Sequence, residues 1–511
     1  MLAIKETASY SSSVLKNSSG SPIILYASDK FAILDKTSDG TYTWQKILYI
    51  TGGATYTGYL NADYVIDYDS TVSTGVEDTE SIADFKGYLK EQGFPESYHA
   101  ALTALHEKHP KWVFKAFNTG LDWNTALDNE SLPGGNLISN TRTNAWKSFE
   151  TGAYNYKTDS FIVYDGSTWV TASKAAVAYY MDPRNFLDEN NIFQFEILDY
   201  NPKYQNIAGI ENILKGTAMY NTTFDYIDDA GNTVTTSYAK AFLAAAAYSE
   251  VSPYHLASRA KQEITTGSTT LSNSVSGTFA GFEGLYNFYN IGAYNSTVAG
   301  GAIANGLKYA KSGSTSATLN TNSLIPWNNR YRSIVGGAYI IGYSYIARGQ
   351  NTIYLQKFNM TQKSTYAHQY MSNVEAPYSE GRRVAAAYLS MEETPIVFSI
   401  PVYNNMPAEK VSAPAAVSNP NNYLSALSVK DNNGNELILT PTFTVCGSET
   451  FDLIVDSTVE SVSVEAATVS KKASVAGTGV FTIAGGINTV TVVVTAEDGN
   501  VRFYTINIVK Q

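Results

Sequence analysis

Charge is what this chain has least of. Only 16% of its 511 residues are Asp, Glu, Lys or Arg, against about 25% in an average globular protein. Yet 44% are apolar, so the composition is that of a foldable chain and not of a disordered one. There is one cysteine, Cys446, which excludes an internal disulfide framework and any multi-cysteine zinc or iron–sulfur centre. No apolar run reaches the roughly 18 residues of a membrane-spanning helix. Met1-Leu2-Ala3-Ile4-Lys5 lacks a charged region leading into an apolar one, so an exported form is expected to carry its signal outside this sequence. A net charge of -11, a pI near 5.1 and the absence of Lys/Arg clusters exclude phosphate neutralisation, and no nucleic-acid partner is expected.

In place of charge stand 38 Tyr, 21 Phe, 6 Trp and 37 Gly. Rings whose faces stack and whose hydroxyls hydrogen-bond make a surface suited to sugars. At about 100 to 200 residues per domain, the length implies three or four domains.

Residues 1–68 read as short strands broken by polar turns, a small all-β barrel. An acidic, Ser/Thr-rich stretch within 69–94 reads as a linker. From 95 to 400 the spacing turns helical: Tyr98–His109, Ser173–Tyr180, Tyr238–Tyr248 with its alanine run, and a helix opened by Ser252 as N-cap and Pro253 in first position. The four prolines of 401–421 read as an extended linker, and 422–511 as alternating strands of a β-sandwich.

One stretch carries chemistry. On a helix, His255, Arg259 and Gln262 or Glu263 share a face. Glu263 falls in the last turn, before Thr265-Thr266-Gly267-Ser268, where its carboxyl can project into a cleft. The helix dipole disfavours a carboxylate there. Both effects favour a protonated acid, as protonation of a glycosidic leaving oxygen requires. On spacing alone the plainer reading, an exposed glutamate at a helix end, is the stronger one. Downstream, Tyr286, Asn287, Tyr289, Asn290 and Tyr294 offer ring faces and amides to a pyranose, whereas Phe288 and Ile291 read as core.

Ala257-Ser258-Arg259 with Gln262-Glu263 resembles the Ala-Ser-Arg-x-x-Gln-Glu motif of bacterial cell-wall N-acetylglucosaminidases, glycoside hydrolase family 73. Asn287-Phe288-Tyr289-Asn290-Ile291 resembles that family's Asn-Leu-Phe-Gly-Ile block. Pro326-Trp327, Ser333 to Ala338, Gly349 to Asn359 and His368 to Asn373 are similar as well, and Gly93 to Tyr98 through Asn118 to Trp123 resembles the clostridial type. The resemblance implies a lysozyme-like helical domain with Glu263 as general acid, hydrolysing the β-1,4 bond on the reducing side of N-acetylglucosamine in peptidoglycan. It also brings Gln262, Trp327 and Tyr370 into the substrate-binding set. Tyr370 loosely matches a substrate-positioning tyrosine of the family, with Tyr289 as a rival.

No Asp or Glu occurs between Glu283 and Glu375, so the second catalytic group is either Glu283 or the substrate's own acetamido oxygen. His106 and His109 could face one metal ion, but no Asp, Glu or Cys completes a site, and neither metal nor cofactor is expected.

Trp44, the Gly52-Gly53 turn and Gly58 to Val65 resemble a bacterial SH3-like wall-targeting domain, which implies stem-peptide binding. Tyr423 to Val429, Gly486 to Val490 and Ala496 to Gly499 resemble a cadherin-like, immunoglobulin-like sandwich; with no calcium-binding carboxylate cluster, that resemblance implies fold only. The expected fold is therefore multidomain: a small all-β SH3-like barrel, a mainly α lysozyme-like catalytic domain and an all-β sandwich. The expected protein is a secreted or wall-associated autolysin acting on peptidoglycan glycan strands and stem peptides. Two alternatives remain open: an endo-β-N-acetylglucosaminidase of glycoprotein chitobiose cores, and a non-catalytic wall-binding scaffold.

Overall fold

Strand Thr43–Thr51 buries side chains on both faces, Trp44 and Leu48 on one and Ile47 and Tyr49 on the other. It is the central member of a three-stranded antiparallel sheet between Ala32–Ser38 and Ala54–Asn61. Its hairpin closes through Gly52 and Gly53, with φ of 58° and 79°; a two-residue turn with both φ positive matches the strand twist, and glycine adopts it without steric cost. Ile4, Leu15, Ile23, Leu25, Tyr56 and Leu60 complete this small core. The computed structural model describes residues 2–26, 29–65, 84–202, 204–294, 297, 299–388 and 395–511. Part of the expected 69–94 linker thus lies outside the described residues, but Phe85–Glu91 is a helix, N-capped by Asp84, that buries Phe85, Tyr88 and Leu89.

The chain divides into two units. The first comprises 1–120, 186–370 and 377–403. In it the N-terminal sheet is tied to the helical part. Asp229, at the tip of the hairpin Thr223–Ile227 and Thr233–Ser237, accepts from Thr55 N (2.8 Å), Thr55 Oγ1 (2.9 Å) and Arg332 Nη1 (2.8 Å). Arg332 also donates to Gly53 O at 3.1 Å. Helices Tyr238–Ser249 and Arg330–Ser344 pack through small residues, the first burying Ala239, Ala241 and Ala244 to Ala246. On the second, a Cβ at Gly336 would lie 1.9 Å from Ser323 O, and one at Gly337 would lie 2.5 Å from the Tyr289 ring. Glycine here permits backbone and ring to approach the helix at a distance no other residue allows.

The second unit comprises 121–185, 371–376 and 404–511. Its first part joins helices Trp123–Glu130 and Lys174–Met181 to a sheet ordered Val163–Asp165, Trp169–Thr171, Leu137–Ser139. The region expected to be mainly helical therefore holds strands as well; the three of this sheet are too short to leave a two-residue period in the sequence, whereas Val113–Asp122, most of it in the first unit, runs for ten residues. Beyond residue 422 lie two four-stranded sheets, with Leu424, Val429, Phe451, Val462, Val492 and Ile506 in their core. Thr450–Val455 runs parallel to Val501–Lys510, and all other pairs of those sheets are antiparallel.

The stretch expected as a linker, 401–421, is extended but pinned. Its first residues complete strand Val397–Asn404. Arg184 then donates to the carbonyls of Pro407 and Ala408 (2.8 and 3.1 Å), and Val411 N to Asp182 (2.8 Å). Asn421 donates to Asp159 (2.8 Å).

Candidate active site

Helix Pro253–Ile264 begins as the sequence predicts. Ser252 Oγ accepts from His255 N at 3.3 Å and Pro253 occupies the first turn, where its missing N–H costs nothing. His255, Leu256, Ala257, Ser258, Ala260 and Ile264 are buried, while Gln262 and Glu263 are exposed. His255 does not join Glu263 at the surface. Burial, and secondarily the Arg259 guanidinium, push its imidazole down to about 3, so it is a neutral packing residue at physiological pH. Arg259 lies one turn before Glu263 with its Nε buried and unpartnered.

Glu263 closes the helix. Asn290 Nδ2 donates to the Glu263 backbone carbonyl (2.9 Å) and to its Oε2 (3.1 Å). This joins the Phe279–Tyr294 stretch to the helix end. Gln262 is exposed beside it, its amide donating back to Ser258 at 3.2 Å. Glu283 stands on the loop in solvent and accepts from Gly281 N at 3.0 Å. Backbone N–H groups, its own first and then that of Gly281, hold its carboxyl below the usual glutamate range. It is therefore an ionised group, suited to act as a base or nucleophile rather than as an acid.

Three expected sugar contacts are instead parts of the wall behind the loop. Asn287 is fully buried: its amide donates to Ile291 O (2.8 Å) and Gly306 O (2.9 Å), and its Oδ1 accepts from Ile291 N (3.1 Å). Tyr289 is 2% exposed and its hydroxyl donates to Ile334 O. Trp327 is fully buried, with Nε1 donating to Ser323 O at 2.7 Å. With every polar atom of these groups bonded inside the protein, direct sugar contact is not what their geometry provides. Tyr286 is half-buried under Arg330, whose guanidinium carbon lies 5.4 Å from the ring centroid. Tyr294 is 66% exposed and Tyr370 41%.

Tyr370 stands edge-on to Tyr345 (5.6 Å, 89°), and Tyr345 meets His368 at 4.7 Å. Sequence reasoning selected Tyr370 but not Tyr345 or His368. No local sequence pattern marks them: the fold brings His368 Nδ1 within 2.8 Å of Gln350 Oε1, 18 positions away. Half-buried Glu380, on helix Ala376–Tyr388, was not selected either; burial raises its carboxyl and the cations Arg259 and Arg383 pull it back. His106 and His109 go to different partners: His106 stacks on Phe85 (3.9 Å, 6°), and His109 stacks on Trp112 and meets Glu189 (2.8 Å). Among the described residues no group of three His, Cys, Asp or Glu is placed to hold a metal ion.

No protein-family profile matches the chain. It is 30% identical over 238 residues to a β-N-acetylglucosaminidase of Bacillus subtilis (strain 168), covering 46% of this chain and 23% of that protein. It is 26% identical over 241 residues to a bifunctional autolysin of Staphylococcus epidermidis, covering 46% and 16%. The chain thus spans less than a quarter of the length of these curated relatives. Among solved structures, a major bifunctional autolysin aligns at a TM-score of 0.39 and 22% identity, over 57% of this chain and 99% of that one.

Proposed function

We propose that this chain is a peptidoglycan hydrolase that cleaves the β-1,4 bond on the reducing side of N-acetylglucosamine, with Glu263 as general acid. The observation that carries the reading is the placement of Glu263. It stands in the last turn of a helix whose first six residues are all buried, and its carboxyl is in solvent beside a loop of tyrosines and asparagines. Likeness to a β-N-acetylglucosaminidase and to bifunctional autolysins supports the choice of substrate. Glu263 protonates the leaving oxygen. The ionised Glu283 or the substrate's acetamido oxygen meets the anomeric carbon, and Tyr370, Tyr294, Tyr286 and Gln262 line the sugar path.

The same reading takes the N-terminal sheet as SH3-like, the helices around Glu263 as lysozyme-like and the C-terminal sheets as a cadherin-like sandwich, in a protein working outside the cell on the wall. Tyr10, Tyr42 and Tyr64, which are 48%, 40% and 64% exposed, form an aromatic surface. Tyr10 packs edge-on to Tyr42 and Trp44 at 4.9 and 5.0 Å. This surface fits a stem peptide. The test is digestion of purified sacculi followed by borohydride reduction: reduced glucosamine at the new ends supports the assignment, and reduced muramic acid alone overturns it.

A further inference from the structure

Among the described residues, Asn290 is the only side chain that hydrogen-bonds the Glu263 carboxylate. Its backbone explains how it gets there. Asn290 has φ of +50°, a left-handed conformation that costs most residues roughly 1–2 kcal/mol and that asparagine tolerates better than others. The block that this stretch resembles has glycine at that place. Asparagine keeps the turn and adds an amide. One nitrogen then serves two acceptors of the same glutamate: the backbone carbonyl, among the last in the helix and without an intrahelical partner, and Oε2. The turn is itself fixed from both sides. Ala293 N donates to Asn290 O at 3.0 Å, and Asn287 and Tyr289 anchor the preceding residues in the interior.

We propose that Asn290 is the positioning residue of Glu263, a clamp that orients the carboxyl and leaves Oε1 to carry the proton. This rests on the reading of Glu263 as general acid. In the step, the Oε1–H bond breaks and the proton joins the glycosidic oxygen. The bond from that oxygen to the anomeric carbon breaks with its electron pair going to oxygen, and the anomeric carbon takes an electron pair from the attacking oxygen. The charge left on Glu263 spreads to Oε2, where the Asn290 amide already donates, so the bond strengthens as the reaction proceeds.

Full-chain variants assayed on a soluble peptidoglycan glycan test this. Asn290→Gly keeps the backbone and removes the donor. Its kcat is expected to fall about 10-fold, as expected for a bond that strengthens in the transition state, with KM within about 2-fold and the thermal midpoint unchanged or raised. Asn290→Asp keeps the shape but, when ionised, turns the donor into a repelling acceptor. Its kcat falls further at pH 7, and relative to wild type it recovers toward pH 4, near the ordinary aspartate value, where the new carboxyl regains a proton to donate. Arg259, the charged group one turn back, is common to all variants and cancels in the ratio. A wild-type kcat for Asn290→Gly, a rise in KM at constant kcat, or an Asn290→Asp ratio flat with pH overturns the clamp. Glu263→Gln run alongside separates the two claims: its inactivity with an unperturbed Asn290→Gly overturns the clamp alone, and its full activity overturns the acid.

Discussion

Asn287, Tyr289 and Trp327 were expected in one substrate-binding set with Tyr294 and Tyr370, yet the first three are at most 2% exposed while Tyr294 and Tyr370 are 66% and 41% exposed. The site thus has a buried wall and an exposed face, and the two are built from the same residue types. A buried amide or hydroxyl must be satisfied by the protein itself, because leaving it unpaired costs about 1–3 kcal/mol; those of the wall are satisfied by backbone groups of Ile291, Gly306, Ser323 and Ile334. The side chains of the face, Glu263, Tyr294 and Tyr370 among them, are open to solvent. Substitutions in the wall should therefore act on folding, and substitutions on the face on catalysis.

The sharpest division is expected at Glu263. Glu263→Gln should lower kcat on sacculi at least about 100-fold, the usual worth of a general acid, while the thermal midpoint stays within about 2 °C. Its carboxyl buries nothing that the amide would not. A large drop in midpoint would move Glu263 into the wall and end the contrast.

Asn287→Ala probes the opposite side. It removes three hydrogen bonds and leaves Gly306 O and the two backbone groups of Ile291 without that partner. A loss of roughly 2–3 kcal/mol by denaturant titration is expected, with the remaining folded enzyme still hydrolysing glycan. Wild-type stability combined with a raised KM would show instead that the Asn287 amide turns to the sugar.

What was legible in advance divides along the same line. The helix bearing Glu263 could be read because its signals are local: Ser252 and Pro253 open it, and apolar residues recur at helical spacing. An asparagine between aromatic residues reads the same whether its amide faces a sugar or Gly306, 19 residues away. The same holds for 401–421. Its prolines signal extended chain, but Asp182 and Arg184, which pin it, lie more than 220 positions earlier. The alternating strands after residue 422 were visible, whereas Ser474–Ala476 and Gly479–Thr482 are too short and glycine-flanked to show a period.

Two buried titratable groups away from the loop, Glu196 and His255, give the stability of the first unit a pH signature. Burial pushes the Glu196 carboxyl up to about 8, against the opposing bond from the Tyr388 hydroxyl at 2.7 Å. Below about pH 4.5 folded and unfolded chains both hold that proton and its contribution is intact. As pH rises the unfolded chain releases the proton first, and stability falls until about pH 8. His255, held down near 3, acts in the other direction. Its contribution is intact above about pH 6.5 and is lost as pH falls toward 3. Glu196→Gln keeps the bond from Tyr388 and has no proton to lose. Relative to wild type it should gain on the order of 2 kcal/mol between pH 5 and pH 8 in denaturation midpoints. A parallel pH dependence in the two proteins would show that Glu196 is not the group being titrated.

The smallest effect belongs to Tyr370, where wall and face meet. Its ring leans edge-on against Tyr345, and close to half of it remains in solvent. If the exposed ring stacks on a pyranose, its removal forfeits about 0.5–1.5 kcal/mol, or roughly 2- to 12-fold in affinity. Tyr370→Ala should then raise KM by that factor with little change in thermal midpoint, and Tyr370→Phe, which keeps the ring, should behave as wild type. A hydroxyl that orients the acetamido group acts on the reacting centre, so in that case Tyr370→Phe loses kcat at constant KM. That outcome would make Tyr370 part of the catalytic apparatus with Glu263 and not of the sugar path.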